Sequence, residues 1–296
     1  MKILLAVDSS AASDVAIAEV ARRPWPKGTS VEVVSAVEIV SAVEMSPAWS
    51  TPALDDAILN AADQAVRSAA EPLKASGLAC TSRVLIGDPR AAIVDYAAES
   101  GADLVVAGSH EASTVMRFLL GSVARAVVLH APCSVEIVRP RTSTGGLKVL
   151  LATDGSEFSK DAARSVASRP WPAGSEFRVI SVAELPVAWF RKPVPAYLDP
   201  KAMETLRAES MKHAEDAVAA AEQILADGGL TESGTEAVPY ASAKEVIISQ
   251  ATEWGADLIV LGSHGRHGAS RFLLGSVSEP VAFHAPCSVE IIRARK

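Results

Sequence analysis

Short β-branched runs alternate along the chain with longer stretches whose apolar residues recur every three or four positions. In the first half the runs are Ile3–Val7, Val31–Val37, Ser82–Ile86, Leu104–Ala107 and Val135–Val138. They are close to continuously apolar, as expected of strands covered by helices on both faces. Between them, Ala11–Ala21, Asp55–Ala75 and Ala91–Glu99 have helical spacing and are rich in alanine. This alternation predicts βαβ units and a parallel sheet, an α/β layer of five strands.

The pattern then starts again. MKILLAVDSS at 1–10 answers LKVLLATDGS at 147–156, and Arg23-Pro24-Trp25-Pro26 answers Arg169-Pro170-Trp171-Pro172, an offset of 169 − 23 = 146. From Gly108 and Gly262 onward the offset is 262 − 108 = 154, so the second copy gains 154 − 146 = 8 residues in its middle. Between 101–140 and 255–294, 25 of 40 positions coincide. Two copies of this length are complete domains rather than solenoid repeats. The expected division is a domain at 1–140, an apolar-free linker at 141–146 and a second domain at 147–296. Leu185–Pro200, with four prolines and Trp189, Phe190 and Tyr197, interrupts the second copy and reads as a lid or contact surface.

Composition narrows the function classes. The 296 residues carry 28 basic and 35 acidic side chains, a net charge of −7 with pI near 5.5, so no basic field exists for nucleic acid. No apolar run approaches the ~18 residues of a membrane helix, and the apolar start is cut by Asp8 before it resembles a signal peptide. Three cysteines, Cys80, Cys133 and Cys287, build neither a disulfide framework nor a Cys-x-x-Cys pair. A cytoplasmic location is expected. No His, Cys and Asp set has metal-ligand spacing, and no Gly-x-Ser-x-Gly elbow appears, so no catalytic residue is assigned.

The most informative segment is Gly262-Ser263-His264-Gly265, followed after nine residues by Gly275-Ser276. It runs out of the apolar run Asp257–Leu261 and leads into the next helical stretch, so it occupies the carboxyl edge of a parallel sheet, where open α/β folds bind ligands. Glycines let backbone approach an anion, helix-opening N–H groups hold phosphate oxygens, and Arg266 and Arg271 are nearby cations. The segment lacks the lysine of a Walker A loop and the spacing of a Gly-x-Gly-x-x-Gly loop.

Gly-x2-Gly-x9-Gly-Ser after an apolar strand, with Asp154-Gly155-Ser156 closing the first strand and Ala285-Pro286-Cys287-Ser288-Val289 opening the last, resembles the nucleotide motif of the universal stress protein family. The likeness covers nearly the whole chain as two tandem domains. It implies two adenine nucleotide alpha hydrolase-like (Rossmann-like) domains, each a five-stranded parallel sheet of order 3-2-1-4-5 flanked by helices. It implies ATP, or ADP or AMP, as the ligand of a stress-response sensor or regulatory module, with Mg2+ a candidate companion. By position, Ala152, Thr153 and Asp154 would lie beside the adenosine and Val182 would hold adenine through its backbone. Gly262, His264, Gly265 and Arg266 would line ribose and phosphates, with Gly275, Ser276 and Val277 giving N–H groups to phosphate. The resemblance also implies a pseudo-dimer of the two domains within one chain through their final strands, with a homodimer of chains as a further association and no protein partner identified.

The first copy departs at the motif. It reads Gly108-Ser109-His110-Glu111, then Gly121-Ser122, so a glutamate replaces the second glycine and brings a negative charge where an anion should sit. Like charges ~4 Å apart repel by roughly 4 kcal/mol at an effective dielectric of ~20. A weaker first site at Asp8, Gly108, Gly121 and Ser122 is expected, and Glu111→Gly is expected to raise nucleotide stoichiometry.

Plainer readings stand beside these. Ser276 and Ser122 serve equally as helix N-caps. His264 and His267 read as ligand contacts or as solvated loop residues, and Asp154 as a turn-forming aspartate. His130 and His284 read as helix ends, Cys133 and Cys287 as packing residues, and the Pro-Trp-Pro segments as structural stops. Two other functions remain open: a slow ATPase or self-phosphorylating enzyme, and a nucleotide-independent interaction protein.

Overall fold

A computed structural model describes residues 1–39, 52–109, 120–141, 143–184, 199–239, 242–265 and 274–294. Two compact units emerge, Met1–Thr142 with Arg293–Lys296, and Ser143–Ile292.

The first unit contains β1 (Lys2–Ala6), α1 (Ala11–Arg22), β2 (Ser30–Val37), α2 (Pro52–Ala75), β3 (Ala79–Ile86), α3 (Pro89–Glu99), β4 (Leu104–Gly108), α4 (Ser122–His130) and β5 (Ser134–Val138). Its strands pair in parallel in the order β3-β2-β1-β4-β5, with Ile3 opposite both Val31 and Leu104. The second unit contains β6 (Lys148–Ala152), α5 (Glu157–Ala167), β7 (Glu176–Ala183), α6 (Pro200–Asp227), β8 (Glu232–Pro239), α7 (Ala243–Trp254), β9 (Leu258–Gly262), α8 (Ser278–His284) and β10 (Ser288–Ile292). Its parallel order is β8-β7-β6-β9-β10. Each unit is therefore a Rossmann-like sheet of order 3-2-1-4-5 whose strand order reverses beside its first strand.

The inner strands are buried on both faces, as their apolar runs require. Ile3, Leu5, Val31, Val33, Leu104 and Val106 pack with Val66 and Leu73 of α2. Val149, Leu151, Val179, Leu258 and Val260 pack with Val218 and Leu225 of α6. The edge strand β3 differs from the expectation, because Thr81, Ser82 and Arg83 are exposed and only one neighbour, β2, covers it within the unit. Helix starts follow local chemistry. Ser10 and Ser156 cap α1 and α5 by accepting from Ser13 N–H and Ser159 N–H, while Asp88-Pro89 and Asp199-Pro200 open α3 and α6.

The Arg-Pro-Trp-Pro segments stop the first helix of each unit and also tie it to the last strand. Arg23 donates to Glu136 at 2.9 and 2.7 Å, and Arg169 donates to Glu290 at 3.0 and 2.9 Å. Both glutamates are 1% exposed. The tryptophans Trp25 and Trp171 lie under these guanidinium groups and donate to Val20 and Val166 carbonyls at 2.9 Å.

Candidate functional site

In the second unit β6 lies between β7 and β9, with Ala152 opposite both Ile180 and Leu261. The chain leaves β6 at Thr153 and Asp154, at the point where the strand order reverses. Thr153 is buried at 8% exposure and its N–H extends the ladder to the Ile180 carbonyl at 2.9 Å. Asp154 forms a turn: its Oδ1 accepts the Ser156 N–H at 3.0 Å, while His213 of α6 lies 3.2 Å from its backbone carbonyl. Asp154 is thus a turn former and also a carboxylate presented at the sheet edge.

The glycine segment meets that carboxylate. A Cβ on Gly265 would lie 2.8 Å from Asp154 Oδ2, so the backbone of the motif and the strand-end aspartate approach as closely as glycine permits. Gly262 has a separate reason to be glycine. Its Cβ would lie 2.7 Å from the Phe158 backbone, so it allows α5 to rest on the end of β9. Gly108 repeats this against the backbone of Ala12 in the first unit. Between the two glycines, His264 is 9% exposed, its Nδ1 is 3.0 Å from Ser263 Oγ and its ring stands against Phe158. Its buried Nε2 has no hydrogen-bond partner among the described residues.

Three expectations need correction. The Gly275 N–H, assigned to phosphate, donates to the Ser263 carbonyl at 2.9 Å and closes the loop on itself. Ser276 is not an N-cap: α8 begins at Ser278, after Val277, because a helix starting at Ser276 would need an N–H from Pro280. Ser278 instead ties the helix to the strand by donating to the Gly262 carbonyl at 2.7 Å. Ser122 is likewise not a cap, since it is the first helical residue of α4 and Gly121 precedes it. Val182 is half-buried, and its carbonyl accepts the Glu184 N–H at 3.0 Å. Arg266, Arg271, His267, Glu111 and 185–198 of the Leu185–Pro200 loop lie outside the described residues.

The first unit arranges the equivalent turn differently. Asp8 Oδ1 accepts the Ser10 N–H at 3.0 Å, the Ser13 hydroxyl at 2.7 Å and the Ser10 hydroxyl as well. Matching Ala65-Val66 to Ala217-Val218 puts Ala61 where α6 has His213. Beside Asp8, a shallow groove of about 410 Å³ opens between α1 and α2, with Ser9, Asp14, Ala65 and Ser68 in its walls. Two carboxylates on this groove oppose an anion. His130 and His284 end their helices as read from the sequence. Cys133 and Cys287 are buried, and burial pushes the Cys133 thiol up to about 11, away from thiolate chemistry.

Sequence reasoning missed His213, Phe158 and Ser159. His213 is a lone histidine on a helix 59 residues from Asp154, and no local pattern signals such a contact.

Among the described residues no helix is long and apolar enough to cross a membrane. The chain is 46% identical over 63 residues to universal stress protein A homolog 2 of Coxiella burnetii, a match covering 21% of this chain and 42% of that relative. Its fold is similar to the crystal structure of a universal stress protein from Archaeoglobus fulgidus, with a TM-score of 0.65 at 20% identity over 99% of this chain and 98% of that one. A functionally unknown protein of Pseudomonas aeruginosa PAO1 gives 0.62 at 16% identity, covering 98% and 92%. The model of the universal stress protein family matches residues 1–139 and again 147–293. With both of its units matched, the chain belongs to the universal stress protein family.

Proposed function

We propose that the second unit binds ATP or a related adenine nucleotide as the sensing or regulatory element of a stress-response protein. The observation that carries this reading is the close approach of Gly265 to the Asp154 carboxylate at the reversal point of the sheet. A glycine-lined approach that a Cβ would fill, together with a buried imidazole nitrogen that has no partner among the described residues, fits a site built for a ligand with polar edges. In this reading Ala152, Thr153 and Asp154 face the adenosine with Val182. Gly262, His264, Gly265 and Arg266 run along ribose and phosphates, and Ser276 and Val277 close on the phosphates. Mg2+ would enter with the nucleotide. The first unit, with Asp8 engaged by two serines, binds weakly or not at all.

Gently denaturing the purified chain and weighing what is released tests this directly, with titration calorimetry for stoichiometry. Adenine nucleotide at about one per chain is expected, and Gly265→Val is expected to remove it. A chain that neither carries nor takes up ATP, ADP or AMP would overturn the reading.

A further inference from the structure

Helix α6 ties down the two strand ends on one side of the reversal point in the second sheet. His213 lies with its Nε2 3.2 Å from the Asp154 carbonyl, just after β6. A carbonyl only accepts, so the Nε2 that faces it carries the proton. Three residues earlier, on the same helix face, Ser210 donates to the Glu184 carbonyl at 3.1 Å, just after β7. Glu184 carries the tie on to α7, because its Oε1 accepts the Ala243 N–H at 2.8 Å. Ser242, which precedes α7, makes no side-chain cap of its own.

The turn after β6 is shaped to receive this helix. Gly155 follows Asp154 with φ +76°, and a Cβ there would lie 3.3 Å from Ala217 Cβ and 3.6 Å from His213 Nε2. Glycine therefore serves twice, in letting the turn adopt a left-handed conformation and in letting α6 lie on it. The first unit has none of these parts. Ser9 stands at the place of Gly155, Ala61 at that of His213 and Ile58 at that of Ser210. Ala61 and Ile58 offer no side-chain donor. Asp8 and Ser9 are exposed where Asp154 and Gly155 are half-buried, and the groove between α1 and α2 opens beside Ser9.

We propose that His213 and Ser210 are positioning residues: from one helix face they fix the ends of β6 and β7, which flank the nucleoside in the proposed nucleotide site. Thr153, Asp154 and Val182 are then in place before the ligand arrives, and their ordering is not charged against binding. The consequence rests on the nucleotide reading, whereas the geometry does not. Both ties act on the nucleoside side, so AMP, ADP and ATP depend on them equally.

Calorimetry on the full-length chain tests this. His213→Ala, which copies the first unit, is expected to weaken AMP, ADP and ATP alike by about fivefold, the scale of one neutral hydrogen bond. His213→Gln, whose amide N–H can take the place of Nε2–H, is expected to recover the loss. His213→Leu, with bulk but no donor, is expected to bind as weakly as His213→Ala. Amide exchange in the ligand-free chain reads the tie without nucleotide. The Gly155 and Ser156 N–H groups, bonded to Thr153 Oγ1 and Asp154 Oδ1, are expected to exchange faster in His213→Ala and at the native rate in His213→Gln. Unchanged affinity in His213→Ala, full binding in His213→Leu, no recovery in His213→Gln, or a loss confined to ATP would each overturn the proposal. If the unmodified chain takes up no adenine nucleotide, the nucleotide reading falls and the exchange rates decide this proposal alone: native rates in His213→Ala overturn it.

Discussion

Glu290 and Glu136 are buried carboxylates whose cost in desolvation is offset by a two-point bond to arginine, and neither can lose its partner cheaply. Glu290→Ala strands the Arg169 guanidinium in the interior, and a loss of about 3–5 kcal/mol from the second unit is expected in urea denaturation. A loss under about 1 kcal/mol would mean that water reaches the arginine and that the pair is not the tie it resembles. Glu19 gives the first unit a further feature, since Ser165 stands at its place in the second. Burial raises the Glu19 pKa, but Arg23, Arg22 and Arg141 more than offset this and leave it below the ordinary 4.5. A carboxylate with a lowered folded pKa stabilises fully above its unfolded value and loses that contribution as pH falls through the folded one. The first unit should therefore weaken as pH drops below about 4.5. Glu19→Gln is expected to flatten that acid slope, read from urea midpoints across pH, and an unchanged slope would exclude Glu19 as its source.

Helix and strand meet most closely where Gly262 and Gly108 let α5 and α1 rest on the ends of β9 and β4. Gly262→Ala puts a methyl carbon 2.7 Å from the Phe158 backbone, which no rotamer change relieves. A loss of about 1–3 kcal/mol is expected, the range of overpacked sites, with Gly108→Ala behaving alike in the first unit. Wild-type stability in both variants would show that the helices move away freely. Elements were legible where the pattern is local. Apolar runs and three-four spacing mark the strands and helices, and the parallel sheet follows from their alternation, while its strand order is what the family resemblance implies. What escaped depends on residues distant in sequence or on a single backbone atom. Identical Gly-Ser-Val tripeptides open α4 at once but precede α8 by a turn, because Pro280 stands where the first unit has Ala126. Spacing alone makes the Gly275 N–H a phosphate donor, and only the fold brings the Ser263 carbonyl to it.

Across the whole chain the repeat makes one unit a control for the other. Glu111 set the expected difference in the sequence, and the turn at Asp8 adds a second one that no spacing rule conveys, because it lies in the direction of two hydroxyl protons. The two obstacles act on different parts of a ligand. A glutamate in the glycine segment repels phosphate, whereas serines on Asp8 compete with donors of the nucleoside. Removing one should therefore leave the other in force. Glu111→Gly alone is expected to raise ATP stoichiometry above one per chain only at high nucleotide, and Ser13→Ala, which takes one donor from Asp8, alone to change it little. Together they are expected to bring it toward two, with a gain exceeding the sum of the single gains, as for groups that contact one ligand. Calorimetry on the four chains in one buffer measures this. If Glu111→Gly alone fills the first unit as tightly as the second, charge is the whole of the difference between the copies and the serine turn at Asp8 is irrelevant to binding.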